Sequence, residues 1–198
     1  MPRAALAKSR ATIELPVDGR ARIAVVADTH GAPHPRAEEL VRELAPIAIL
    51  HAGDIGGGDV LTRLAAIAPL YAVRGNIDPR AAETPDAWTV DVTRAGAVVL
   101  RVLVFHIAVA GPRLRADAAR LARAEGANLV VCGHSHVPFV GRDHGLVVFN
   151  PGSIGPRRFH LPIVLGVVDV TEQGVSFGHV DCETGAPWSP PEAPRASP

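Results

Sequence analysis

The chain has 198 residues, 47% of them hydrophobic, and its 20 Lys and Arg balance 20 Asp and Glu. That length suits one domain with a sizeable core, and the composition excludes a disordered polyelectrolyte. A formal net charge of zero gives no pull toward nucleic acid or an anionic membrane, and no apolar run approaches the roughly 18 residues of a membrane span.

The first segment, MPRAALAKSR, starts basic but has no continuous apolar stretch behind it, so it does not read as a secretory signal. Residues 1–19 are expected to form a frayed tail with some local order. RIAVVA (22–27) is a β-branched strand ending at Asp28. A helix over 36–45 follows, with Leu40, Val41 and Leu44 on one face, then the strand IAIL (47–50), which runs into His51-Ala52-Gly53-Asp54. A second helix over 59–68 has Asp59 at its start, and LYAV (70–73) is a third strand. This alternation predicts parallel strands with right-handed crossovers.

WTVDV (88–92) and VVLRVLVF (98–105) read as a hairpin, and 113–125 as an amphipathic helix closed by Gly126. Strands at 128–132, 138–141, 146–149, 163–170 and 175–180 complete the set. These are too many for one small parallel sheet, and two packed sheets flanked by helices fit them better. The domain is expected over 20–182, with a Pro-rich tail over 183–198 that is disordered or loosely docked. Cys132 and Cys182 form neither a metal knuckle nor a redox pair, and two reduced thiols in a cytoplasmic protein are the expectation.

Polar residues cluster where the apolar strands end. Asp28 and His30 follow the first strand, Asp54 the second, Asn76 the third, His106 the strand at 98–105, and His134 and His136 the strand at 128–132. Ligands bind beyond the carboxyl ends of parallel strands, so these groups can share one crevice. The mixed oxygen and imidazole set suits Mn²⁺, Fe, Zn²⁺ or Ni²⁺ better than Ca²⁺ or Mg²⁺, and it suffices for two ions sharing one carboxylate. Taken singly, each piece has a plain reading: Asp28-Thr29-His30-Gly31 and Gly75-Asn76-Ile77-Asp78 are turns, and His106 is a strand histidine. Their order and placement argue for a site. His51 either orients ligands or packs in its strand.

As an ordered set, Asp28-x-His30, Gly53-Asp54, Gly75-Asn76-x-Asp78, His106 and Gly133-His134-x-His136 resembles the signature of the calcineurin-like metallophosphoesterases. Asn150-Pro151-Gly152-Ser153-Ile154-Gly155 resembles a segment of that family's small bacterial and archaeal phosphodiesterases. The resemblance implies an α/β fold, a four-layer αββα sandwich of two mixed β-sheets flanked by helices. It also implies one ion on Asp28, His30, Asp54 and His136, and a second on Asp54, Asn76, His106 and His134, with manganese the first choice of metal. A hydroxide held between the ions would be the nucleophile, with Asp54, Asn76 and His106 at the centre of the chemistry. Asp78 and His51 would support the ligands from behind.

The implied substrate is a small phosphoester, nucleotides included, and the implied activity is phosphodiester hydrolysis. The alternatives are a phosphomonoesterase or protein phosphatase on the same site, and a non-catalytic interaction scaffold sharing the fold. A homo-oligomer is compatible with the sequence. Asn76, Arg157 and His160, with Arg158 beside them, are candidates for binding substrate phosphate. The chain departs from the family pattern twice: Ile107-Ala108 follow His106 where Gly and a second His are usual, and Ile77 stands where many members carry His.

Overall fold

The computed structural model describes residues 5–17, 19–111 and 113–190. It begins with β1 (Lys8–Glu14), β2 (Ala21–Val26), α1 (Ala37–Glu43), β3 (Ala48–His51), α2 (Gly58–Ala65) and β4 (Leu70–Ala72). Next come β5 (Ala87–Arg94), β6 (Ala97–Val104), β7 (Val109–Ala110), β8 (Arg113–Leu114), α3 (Ala116–Glu125) and β9 (Leu129–Val131). The last strands are β10 (Phe139–Asp143), β11 (Leu146–Asn150), β12 (Val164–Thr171), β13 (Gly174–Asp181) and β14 (Pro187–Trp188).

Two six-stranded sheets result, ordered β14-β13-β12-β2-β3-β4 and β1-β5-β6-β9-β11-β10. Both are mixed. In the first, β2, β3 and β4 run parallel while β12 pairs antiparallel with β2. In the second, β6, β9 and β11 are parallel, with the expected β5–β6 hairpin antiparallel beside them.

Period-two alternation decides which layer each side chain enters. Ile23 and Val25 of β2 and Leu50 of β3 join Val102 and Val104 of β6 in the core between the sheets. Their neighbours Ala24, Val26 and Ile49 face outward, where Leu40 and Val41 of α1 and Val60 and Leu64 of α2 cover them. On the far side Leu103 and Val130 pack under Ala118, Ala119 and Ala122 of α3. Strands buried on both faces need the near-continuous apolar runs that this sequence has. The four layers are therefore helix, sheet, sheet, helix, as the motifs implied.

Three local features differ from the sequence reading. Within the segment read as a frayed tail, Lys8–Glu14 pairs in parallel with β5 along its whole length. Its solvent-side cations hold it there, Lys8 and Arg10 both reaching Glu125. The third helix starts at Ala116, because Arg113–Leu114 are taken into the small β7–β8 ribbon, although Gly126 closes it at φ 69° as expected. At the C-terminal end, β14 pairs with β13 and seats Trp188 edge-on against His179. The Pro-rich residues 191–198 lie outside the described residues.

Candidate metal centre

The site is built where β2, β3, β4, β6 and β9 end. The chain must turn sharply there, and the turns take an unusual form. Among the described residues nine non-glycines have positive φ, and five of them are predicted ligands: Asp28, His30, Asp54, His134 and His136. Left-handed backbone is unfavourable for such residues and persists only where the surroundings impose it. Here those surroundings are backbone ties between loops. Asp28 N–H donates to Gly53 O at 2.9 Å, His30 N–H to Asp54 O at 3.0 Å, and Gly31 N–H to Ile55 O at 2.7 Å.

Two ligand groups form. Asp28, His30 and His136 each offer one atom within 4.8 Å of the others, and so do Asp54, His106 and His134. Asn76 joins the second group, its Oδ1 lying 2.9 Å from His134 Nδ1 and 3.2 Å from His106 Nε2. These two groups and Asn76 include all seven predicted ligands, with Asp54 in the second group alone, whereas the resemblance implied it in both.

The donor chemistry fits cations. In the first group the Nε2 atoms of His30 and His136 face each other at 3.2 Å, with Asp28 Oδ1 3.4 Å from His136 Nε2. Burial, and then the nearby Arg158 guanidinium, lower both imidazole pKa values, that of His136 to about 4. The facing imidazole nitrogens and the Asp28 carboxylate make a mixed nitrogen and oxygen donor set of the kind that holds a divalent transition metal. Burial also pushes Asp28 up to about 7 against the opposing charge of His106. The Nδ1 of His136 is buried without a partner among the described residues.

In the second group, His106 donates Nδ1–H to Ala52 O at 2.6 Å, which fixes the tautomer and turns Nε2 toward Asp54 Oδ1 at 3.2 Å. Burial disfavours charge on both partners, but their mutual hydrogen bond and attraction win. Asp54 is held at about 2 and the His106 pKa is raised.

A second layer of residues stiffens this arrangement. His51 is fully buried, and its Nδ1 accepts the Gly53 N–H at 3.1 Å. Its Nε2–H therefore donates to Thr29 Oγ1 at 3.1 Å, and the Thr29 hydroxyl donates onward to Ile55 O at 2.8 Å. His51 thus orients the turns carrying Asp28, His30 and Asp54. Asp78 accepts N–H bonds from Gly75, Ile55 and Gly56 at 2.7, 3.0 and 2.9 Å, tying the Asn76 turn to the Asp54 turn.

The Asn150–Gly155 segment does the same from the other side. Asn150 Nδ2 donates to Gly133 O at 3.0 Å, and Ser153 Oγ donates to Asp28 O at 3.0 Å. The backbone approach is so close that a Cβ at Gly155 would fall 2.2 Å from Asp28 O. The bracing roles of Ser153 and Thr29 were not assigned from sequence; their only signal is a hydroxyl next to a ligand turn.

Among the candidate phosphate binders, Arg157 turns away to Leu161 O at 2.9 Å and to the Glu183 carboxylate. His160 is exposed beside it. Arg158 is the residue that reaches the centre, its Nη2 lying 3.2 Å from His30 Nε2. Ile77 directs its N–H to Asp54 Oδ1 at 3.2 Å and leaves its side chain 48% exposed.

Residues 22–173 match the calcineurin-like phosphoesterase superfamily domain. A probable metallophosphoesterase of Methanothermobacter thermautotrophicus is 34% identical over 150 residues, which cover 72% of this chain and 83% of that protein. Among solved structures, vacuolar protein sorting 29 from Cryptosporidium parvum superposes with a TM-score of 0.69 at 17% identity, covering 86% of this chain and 95% of that one. A novel archaeal phosphodiesterase superposes with a TM-score of 0.58 at 17% identity, covering 81% and 99%. At those identities the two structures share the fold, and the sequence matches carry the kinship.

Proposed function

Because the chain belongs to the calcineurin-like phosphoesterase superfamily, we propose that it is a two-metal phosphodiesterase acting on small phosphodiesters. The observation that carries this reading is the pair of ligand groups, Asp28-His30-His136 and Asp54-His106-His134, meeting at the ends of five strands. In this reading the first group holds one cation, the second group with Asn76 holds the other, and Asp54 serves both. When bound, two divalent cations supply Lewis acidity, lowering the pKa of water to make a nucleophile near neutral pH and neutralising charge on the phosphoryl oxygens.

The chain's own residues do the rest. Asn76 brings a neutral oxygen to its ion, so that group carries one carboxylate and stays attractive to an anionic substrate. Ala52 O and the buried His51 fix imidazole and loop orientation. Arg158 brings a guanidinium to the edge of the site, suited to a phosphoryl oxygen. Among the described residues it is the one arginine or lysine hydrogen-bonded to a predicted ligand, and one added cation matches the single negative charge of a diester better than a monoester dianion.

The test is a matched pair of p-nitrophenyl esters, one monoester and one diester, with the purified protein and Mn²⁺. The diester should be favoured in kcat/KM by about tenfold or more, a difference of about 1.4 kcal/mol in transition-state stabilisation. A reversed preference supports the monoesterase alternative. Hydrolysis of neither ester by protein holding two ions supports the scaffold alternative.

A further inference from the structure

We propose that a ring-sized apolar substituent of the substrate diester is received in the cavity beside His134, so that this site favours aryl or nucleoside-like diesters over small alkyl ones. The proposal rests on the phosphodiesterase reading and deepens it. A cavity of about 660 Å³ lies against Gly133, His134 and Ser135, and Ile107, Val109, Val137, Phe139, Val140 and Val148 make its wall mostly apolar, with the charged pair Arg142 and Asp143 also on it. Its size and apolar lining match those of small-molecule sites, which mostly span about 300–1,000 Å³.

His134 belongs both to this wall and to the second ligand group. A group seated in the cavity therefore adjoins whatever is held at that centre, which makes a substituent of the substrate its natural occupant. Val137 and Val140 are 44% and 49% exposed, leaving apolar surface on this wall uncovered by the protein itself. Phe139 and the His134 imidazole offer ring faces or edges to a planar occupant.

Ile107 stands at one edge of the cavity. It also lines a second, smaller cleft of about 320 Å³ on the Asn76 and His106 side, whose walls include Arg74 and Asp86. Ile107 thus borders both spaces, the larger one on the His134 side and the smaller one, which Leu6 and Phe105 also line, on the Asn76 and His106 side. Ala108 is fully buried, so the chain dives inward directly after Ile107. The Ile107-Ala108 departure from the family pattern lies at this wall.

The test uses phenyl p-nitrophenyl phosphate and methyl p-nitrophenyl phosphate, which share a leaving group, together with phenylphosphonate as a binding probe for the metal-free protein. Wild-type protein should prefer the phenyl diester by about tenfold or more in kcat/KM, mainly through KM. Val140→Asp should raise KM for the phenyl diester by about tenfold, while Val98→Asp, at an exposed valine of the β5–β6 hairpin, should not. Phenylphosphonate should shift the methyl resonances of Val137 and Val148 in wild-type protein and fail to do so in Val140→Asp. Equal turnover of the two diesters by wild type with KM for both unchanged in Val140→Asp, an equal response of the two variants, or no methyl shifts would each overturn the cavity assignment. If metal-loaded wild type hydrolyses neither diester, the phosphodiesterase reading fails, and the phenylphosphonate shifts then decide the cavity by themselves.

Discussion

Gly75 and Asp54 pack so closely that a Cβ on Gly75 would fall 2.0 Å from Asp54 Oδ1. The same oxygen accepts the Ile77 N–H, so the turn after β4 clamps the carboxylate at the end of β3. If Asp54 serves both ions, its charge and position matter more than those of any ligand in one group. Asp54→Asn should lose both ions, and Gly75→Ala should weaken binding of both by about 10–100-fold, because a displaced ligand costs roughly as much as an altered support. His30→Ala should mainly deplete the group it shares with Asp28 and His136. Metal per chain by elemental analysis distinguishes them. Two ions retained in Asp54→Asn with none in His30→Ala would reverse the assignment.

His51 provides a test that needs neither metal nor substrate. Its ordinary pKa of 6.5 is lowered by burial to about 4 in the folded protein. Between these values the unfolded chain binds the extra proton and the folded protein does not. Stability from keeping His51 neutral is therefore complete above pH 6.5 and is lost as the pH falls from 6.5 to about 4. The loss amounts to about 3 kcal/mol. Urea unfolding of metal-free protein across this range should show a smaller fall in His51→Gln, which has no proton to gain. Parallel curves for the two proteins would mean that His51 is hydrated or charged when folded.

Much of this was readable from sequence for a simple reason. The last residues of β2, β3, β6 and β9 are buried, so each strand ends in a short apolar run, and polar residues just past each run fall at the rim where ligands gather. Asp28, His106 and His134 are legible in this way, whereas after the apolar run of β3 the first polar residue is His51 and Asp54 comes three residues later. The edge strand β1 is not legible, because only one side of KSRATIE meets the core and its charges read as a tail. Nor does sequence separate Arg157 from Arg158. Adjacent side chains in an irregular loop point where tertiary contacts send them, and here Glu183 captures the first. Asp78 is a candidate support from its place in the Asn76 turn, but sequence alone does not show that its bonds reach Ile55 and Gly56, more than 20 residues away.

Ile77 should show itself in the leaving-group dependence. Its half-exposed side chain offers no proton, and the Asp78 carboxylate next to it is occupied as an acceptor of backbone N–H groups. General acid help contributes about 10²–10⁴-fold for poorly departing alkoxides, so its absence should make the rate fall steeply as leaving-group pKa rises. A series of diesters varied only in the leaving group should give that steep slope, and Ile77→His should flatten it. A shallow slope in the wild-type protein would show that another group supplies the proton.

The central claim is that this chain's seven gathered ligands hold two cations on which hydrolysis depends. The most direct measurement is turnover of bis(p-nitrophenyl) phosphate by protein dialysed against EDTA, then titrated with Mn²⁺ while bound metal is counted. The account predicts no turnover in the metal-free protein and activity that rises to a plateau at two ions per chain. Undiminished turnover by protein shown by elemental analysis to be free of metal would contradict it.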